Sequence, residues 1–380
     1  LAYPTGWGRY FTITIDHTKV AADATDYPLY LAAGNFNTES RDADGSYPAL
    51  NGGGDLRFSS DSAGTTRLPC EVVSFVTNND PTLATAEVHV KVASVSSSTD
   101  TVIYCWYNKA GETQPAVTDT YGRNAVWESN YKAVYHMTDA STTSISDSTS
   151  NGLNLTKASA GNPNSDTGKV GESQYFSGAS TDYLYSANDV LDGIASGSVQ
   201  MWYNPYDKEQ YYHLFSYGSS ATNFVMLGFF GTSAGAYSTY AQSYQSPNNA
   251  SRTTNGTNSN VFRHICWKSS GSAWSAFYNG GAAETLVLVA GAPAGDWFDD
   301  RSSGTSAINI GRSQLSNYYG KGWIDEIRIS LAQFSEQRNN TDYQNQNAPT
   351  TFSAPGAGVT PGGTTAIKDL ICSGIIPFAR

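Results

Sequence analysis

The sequence predicts an all-β chain: a β-sandwich N-terminal domain, a jelly-roll sandwich behind it, and an extended strand in the C-terminal tail. Three observations carry this. Only 14% of the 380 residues are charged, while 25 are Tyr and 36 are Gly, a composition poor in helix formers and rich in strand and turn formers. Apolar and polar residues alternate from the start: within residues 9–16, Phe11, Ile13 and Ile15 share one face and Thr12 and Thr14 the other, the signature of a half-buried strand. Clusters of Gly, Asn, Asp and Ser then separate such runs at sandwich-like spacing.

Further strand-like runs follow at 27–32, 55–59, 71–76, 86–92 and 101–107. A polar stretch, 109–124, closes a first domain over residues 1–125. The second domain, 126–344, opens at Trp127 and continues through runs at 133–137, 174–176, 183–185, 198–203, 213–217, 224–230, 263–267, 274–278, 307–311 and 323–330. That many short strands with glycine at the turns reads as a jelly roll. No helix longer than a turn or two is expected. Residues 345–366 are dominated by Pro, Gly, Thr and Ala and read as a closing segment and linker. In 367–380 every second residue from Leu370 (Leu370, Cys372, Gly374, Ile376, Phe378) forms an apolar face, with Ile371 and Ile375 on the other, and Gly374 and Pro377 oppose a helix.

The net charge of −11 and the lack of any Lys/Arg cluster argue against a nucleic-acid partner. No apolar run reaches the roughly 18 residues of a membrane span. The chain opens at Leu1 rather than Met, which fits either removal of a secretion signal or a trimmed sequence. The first reading places the protein outside the cell or on its surface. Cys70 and Cys105, both in strand-like runs, either pair or remain two buried thiols. Asn154, Asn249, Asn255 and Asn339 begin Asn-X-Ser/Thr sequons and permit glycosylation.

Two motif sets resemble known families. Trp7-Gly-Arg-Tyr-Phe-Thr-Ile-Thr-Ile15, Gly53-Gly-Asp-Leu-Arg-Phe58, Leu68-Pro-Cys-Glu71, Val102-Ile-Tyr-Cys-Trp-Tyr-Asn108 and the later Tyr343-Gln-Asn-Gln-Asn-Ala-Pro-Thr-Thr-Phe352 resemble the domain-of-unknown-function family 2341. Ser198-Val-Gln-Met-Trp-Tyr-Asn-Pro205, Ala276-Phe-Tyr-Asn-Gly280, Ile308-Asn-Ile-Gly-Arg312 and Gly322-Trp-Ile-Asp-Glu-Ile-Arg-Ile329 resemble laminin-G/concanavalin A-like lectin domains. The resemblance implies surface display and carbohydrate contact. It does not fix an activity, because these folds host many roles.

Catalytic chemistry finds little support. Gly231-Thr-Ser-Ala-Gly235 matches a hydrolase nucleophile pattern, but that pattern needs a strand-to-helix elbow, so a glycine-rich turn is expected. The Glu-X-Asp-X-X-Glu set of lectin-like glucanases does not occur, and with it the carboxylate pair of glycoside hydrolysis is missing. His17, His89, His136, His213 and His264 show no metal-ligand spacing, and His136 and His264 read as core residues. Asp325 shares strand parity with Ile327 and Ile329, so it is expected to begin an inward face where a bare carboxylate is costly. It is assigned either to backbone capping or, as the resemblance implies, to a structural Ca²⁺ with Asp147 as second acid. Asp42-Ala-Asp-Gly45 lacks the further acids of a calcium loop and reads as a turn. Tyr206, Tyr211, Tyr212, Tyr240, Tyr244, Tyr318 and Tyr319 are candidate sugar or interface aromatics.

The expected function is that of a non-enzymatic extracellular structural protein without a required cofactor. Its tail strand (Leu370, Ile371, Cys372, Ile375, Ile376, Phe378) would dock into a neighbouring copy, head to tail, as a homopolymeric fibril or surface appendage. The alternative is a carbohydrate-binding adhesin or virion-exposed lectin-like protein.

Overall fold

The structure, a computed structural model, describes residues 5–361 apart from 128–129, 207–210, 232–236, 245–247, 254–260, 293–294 and 314–318. The expected assembly strand, 367–380, lies outside the described residues. So do Tyr318 and Asn255.

The protein is all-β and built from antiparallel sheets. The first sandwich packs a five-stranded sheet (in order Ser353–Pro355, Arg9–Ile15, Thr101–Tyr107, Arg57–Ser59, Arg67–Leu68) on a three-stranded one (Ala24–Ala32, Thr85–Val95, Cys70–Val76). The alternation read in the first strand holds: Phe11, Ile13 and Ile15 enter a core with Leu29, Leu31, Val88, Val90 and Phe352. The opposite residues of strand Thr85–Val95, Glu87 and His89, therefore face the other way, and both are buried.

The second sandwich packs a ten-stranded sheet on a seven-stranded one. Its core collects Phe215, Tyr217, Ile308 and Ile310 from the former and Val199, Met201, Ile324, Ile327 and Ile329 from the latter. Ile324 and Ile327 are an odd number of residues apart yet share this core. A β-bulge explains it: Glu326 takes a φ of 49° and the pairing with strand Gly197–Pro205 shifts register there, so one extra residue is absorbed. Asp325, Glu326 and Arg328 all turn to the outer face. This corrects the expectation that Asp325 begins the inward face, because simple parity fails across a bulge.

A second correction concerns helix content. Glu336–Asn347 is a 12-residue α-helix capped by Ser335, whose side chain accepts from Arg338 N. It carries no apolar stripe because it is buried through polar side chains. Asn345 accepts from Tyr30 N at 2.8 Å and donates to Tyr30 O at 2.9 Å, replacing a strand partner. Thr341 accepts from Ala21 N at 3.0 Å. On its other side, Asn339 and Asp342 both accept from Gln200 at 3.1 Å. The helix thus fastens one sandwich to the other. The chain then returns to the first sandwich, where Ser353 lies opposite Ile15 and the Asn35 amide donates to Pro349 O and Ser353 O. Among the described residues no helix is long and apolar enough to cross a membrane.

Phe352 is fully buried and stacks on Tyr27 at 6.2 Å, so residues far apart in sequence share one core. Phe352→Ala is expected to cost about 3–5 kcal/mol of folding free energy, measured by guanidinium denaturation. A loss below about 1 kcal/mol would show that the closing segment is not integral to the first sandwich.

Candidate functional site

The seven-stranded sheet faces the first sandwich, whereas the ten-stranded sheet turns part of its outer face to solvent. On that face Thr156, Tyr185, Asn309 and Ser216 lie side by side across four strands, while Leu184, Ile308, Ile310 and Phe215 between them enter the core. Tyr183, two residues before Tyr185, projects to the same side, with ring centres 5.9 Å apart. Gly311 ends strand Ala307–Ile310 at a φ of 75°, and a Cβ there would run into the Phe176 ring, so only glycine fits. The turn carries Arg312 back over Tyr183, its guanidinium carbon 3.8 Å from the ring centre. Arg312 also donates to Asn309 Oδ1 at 2.9 Å, which fixes the cation in place. Tyr183, Tyr185, Asn309 and Arg312, together with Ser186, Asn188, Ser219 and Thr305, line a cleft of about 490 Å³, a size common for small-ligand sites. Two tyrosine faces beside an amide and a cation can stack on a sugar ring and bond its hydroxyls.

A second polar constellation is buried between the sandwiches. Glu71, Glu87 and His89 come from the three-stranded sheet, and His136, Asp325, Glu326 and Arg328 from the jelly roll; none is more than 6% exposed. His136 Nδ1 lies 2.7 Å from Glu326 Oε2 and 3.2 Å from Glu87 Oε1, and its Nε2 lies 3.1 Å from Glu71 Oε2. Glu71 also accepts from Trp127 Nε1 at 2.5 Å and Ser148 Oγ at 2.7 Å. Arg328 clasps Glu326 Oε1 at 2.8 and 2.6 Å. Burial raises Glu326, but His136 and then Arg328 outweigh it and hold the carboxyl below its ordinary range. Burial pushes Asp325 well up, with the Glu326 charge adding to it, and burial drives His89 well down, with His136 adding to it. A cavity of about 290 Å³ borders this layer, lined by Glu71, His136, Thr138, Asp139 and Ser148 among others.

The sequence-predicted residues fall elsewhere. Asp325 Oδ2 accepts from Lys169 N and Val170 N at 2.7 and 2.8 Å, the capping role. Asp147 caps its own turn, accepting from Val134 N, Thr149 N, Thr149 Oγ1 and Leu153 N. The two acids are not brought together as metal ligands among the described residues. Residues 42–45 form a turn, with Gly45 N donating to Asp42 O at 3.1 Å. Cys70 and Cys105 are free, buried thiols on opposite sheets of the first core, so the thiol alternative replaces the pairing. Tyr240 is buried against Phe224 and Met226, and Tyr244 stacks on Phe224 at 5.4 Å. Tyr206 is exposed beside Trp323 and Tyr175. Tyr319 is half-buried and bridges Arg312 through its backbone. Tyr211 and Tyr212 lie in strand Tyr211–Ser220. Tyr206, Tyr240, Tyr244 and Tyr319 do not line the cleft. The aromatics that do, Tyr183 and Tyr185, bound the strand-like run 183–185 and carry no sequence signal that separates them from other strand tyrosines.

The sequons divide as sharply. Asn154 is exposed, with its Oδ1 accepting from Asp147 N at 2.9 Å. Asn249 is 6% exposed, accepting from Ala292 N and donating to Asp296. Asn339 is fully buried, its Oδ1 accepting from Gln200, so neither Asn249 nor Asn339 exposes its amide in the folded chain. This corrects both as glycosylation sites.

These observations define an all-β protein of stacked antiparallel sandwiches with an open cleft on one sheet. No protein-family model and no curated protein matches the chain. Among solved structures it is similar to domain 4 of AbnA, a GH43 extracellular arabinanase from Geobacillus stearothermophilus, in complex with arabinotriose. The identity is 18%, over 57% of this chain and 100% of that one, with a TM-score of 0.42. It is also similar to the CBM40 of the Ruminococcus gnavus IT-sialidase bound to α2,3-sialyllactose (12% identity, 39% of this chain, 82% of that one, TM-score 0.33). A third is the receptor-binding domain of botulinum neurotoxin type G (10% identity, 57% and 52% of the two chains, TM-score 0.41).

Expression in a glycosylating host, followed by glycopeptide mass spectrometry, is expected to find glycan at Asn154 and none at Asn249 or Asn339. Glycan at Asn339 on folded protein would contradict the placement of the closing helix.

Proposed function

We propose that the protein is a non-enzymatic, extracellular carbohydrate-binding protein whose ligand site is the cleft on the ten-stranded sheet. The observation that carries this reading is the meeting of Tyr185 and Asn309, on paired strands, with Tyr183 and Arg312 beside them. Aromatic faces shed water readily onto the C–H face of a sugar, and the amide and guanidinium supply directed bonds to its hydroxyls. The residues lining the cleft are aromatic, amide, hydroxyl, guanidinium and small side chains. Cleavage of a glycosidic bond would instead call for two carboxylates about 5–10 Å apart across the sugar, so binding without turnover is the reading these side chains favour.

The test is a glycan array probed with the full chain, followed by calorimetric titration of any hit. Tyr185→Ala removes an exposed ring and is expected to weaken binding about 10–100-fold, the worth of one buried aromatic face of roughly 1.5–3 kcal/mol. Arg312→Ala is expected to weaken it comparably, with the fold intact by circular dichroism. Hits whose affinity is unchanged in both variants would move the site elsewhere, and an empty array would remove the carbohydrate reading.

A further inference from the structure

The layer between the sandwiches holds a donor set that its hydrogen bonds do not use up. Glu87, His89, His136 and Glu326 each offer one ligand atom, and these atoms all lie within 4.8 Å of one another. All four residues are at most 4% exposed. Glu87 Oε1 and both ring nitrogens of His89 have no hydrogen-bond partner, a costly state for buried polar atoms. His89 Nε2 is 3.6 Å from Glu87 Oε1, and the His89 ring stacks on that of His136 at 4.5 Å and 19°.

Charge sharpens the case. Glu71, Glu87, Glu326 and Asp325 are buried here with Arg328 as their fixed cation. A cation held by the two imidazoles and two carboxylates would meet the unpartnered Glu87 and His89 atoms directly. The donors around it also have the supports that metal ligands ordinarily require: His136 turns its second nitrogen to Glu71, and Glu326 turns its second oxygen to Arg328.

We propose that Glu87, His89, His136 and Glu326 form a binding site for a divalent transition cation, Zn²⁺ by its donor set, clamping the two sandwiches together. Two imidazoles and two carboxylates suit Zn²⁺ and disfavour Ca²⁺ and Mg²⁺, which take oxygen ligands. A tetrahedral Zn²⁺ with bonds of about 2.0–2.2 Å spaces its donors roughly 3.4 Å apart, close to the 3.2 and 3.6 Å separations present; binding it opens the 2.7 Å contact of His136 Nδ1 with Glu326 Oε2 and turns the stacked rings toward a common point. The cavity beside Glu71 and His136 supplies a path for entry. This site is independent of the cleft.

The experiment strips the full chain with chelator, dialyses it against ZnCl₂ or CoCl₂, and measures bound metal by mass spectrometry and the visible spectrum of the Co²⁺ form. One equivalent of Zn²⁺ per chain is expected, with a four-coordinate Co²⁺ spectrum and a melting temperature raised by Zn²⁺. His89→Gln and Glu87→Gln, each checked for folding by circular dichroism, should bind at least 100-fold more weakly. His17→Ala, at the exposed Asp16, His17 and Asp100 group, should bind like the parent. Folded parent protein that takes up no Zn²⁺ would overturn the proposal. So would uptake lost in His17→Ala but kept in His89→Gln.

Discussion

The constraint on which the rest of the structure depends is the burial of several charged groups between two sandwiches. Carboxylates removed from water are tolerated only when every one finds a donor or a cation. Glu71 finds Trp127, Ser148 and His136, and Glu326 finds Arg328 and His136. Each of these partners sits on a particular strand or turn, so the bonds set how one sandwich is placed against the other. Apolar surfaces alone would leave that placement looser, since hydrophobic contact is non-directional. The bulge at Glu326 makes the arrangement possible by turning two consecutive acids to the same outer face.

The same constraint leaves one sheet face for the proposed site. One sheet of the jelly roll spends its outer face on the first sandwich and on the closing helix, through Gln200, Trp202 and Arg328. The ten-stranded sheet keeps part of its outer face free, and there the strand register lines up Tyr185, Asn309 and Ser216. Side chains anchored on neighbouring strands lose little freedom when a ligand arrives, and a tyrosine has only two side-chain torsions to fix. Arg312 is already held between Tyr183 and Asn309.

Most strands were legible because one buried face imposes a period of two, as in Phe11, Ile13 and Ile15. The closing helix was not, since Asn339, Thr341, Asp342, Asn345 and Gln346 are buried as hydrogen-bonding groups and leave no apolar period to read. Alternation puts Asp325 on the inner face, and the bulge that turns it outward leaves no trace in that period. Of the cleft, the motif Ile308-Asn-Ile-Gly-Arg312 was legible as a strand, but its meeting with Tyr183 and Tyr185 is a product of topology. The buried cluster was hidden for the same reason: His136 and Glu326 are 190 residues apart, and His136 and Glu71 are 65 apart. The alternation of Glu87 and His89 with Val88 and Val90 was its one local sign.

If the buried layer joins the sandwiches into one cooperative unit, unfolding must report it. Differential scanning calorimetry of the full chain and of Arg328→Ala is the direct test. The parent is predicted to melt in a single transition with matching calorimetric and van't Hoff enthalpies. Loss of Arg328 strands the buried Glu326 carboxylate and is predicted to cost about 3–5 kcal/mol, splitting the melt into two. Two independent transitions in the parent, or an Arg328→Ala melt indistinguishable from it, would contradict the account.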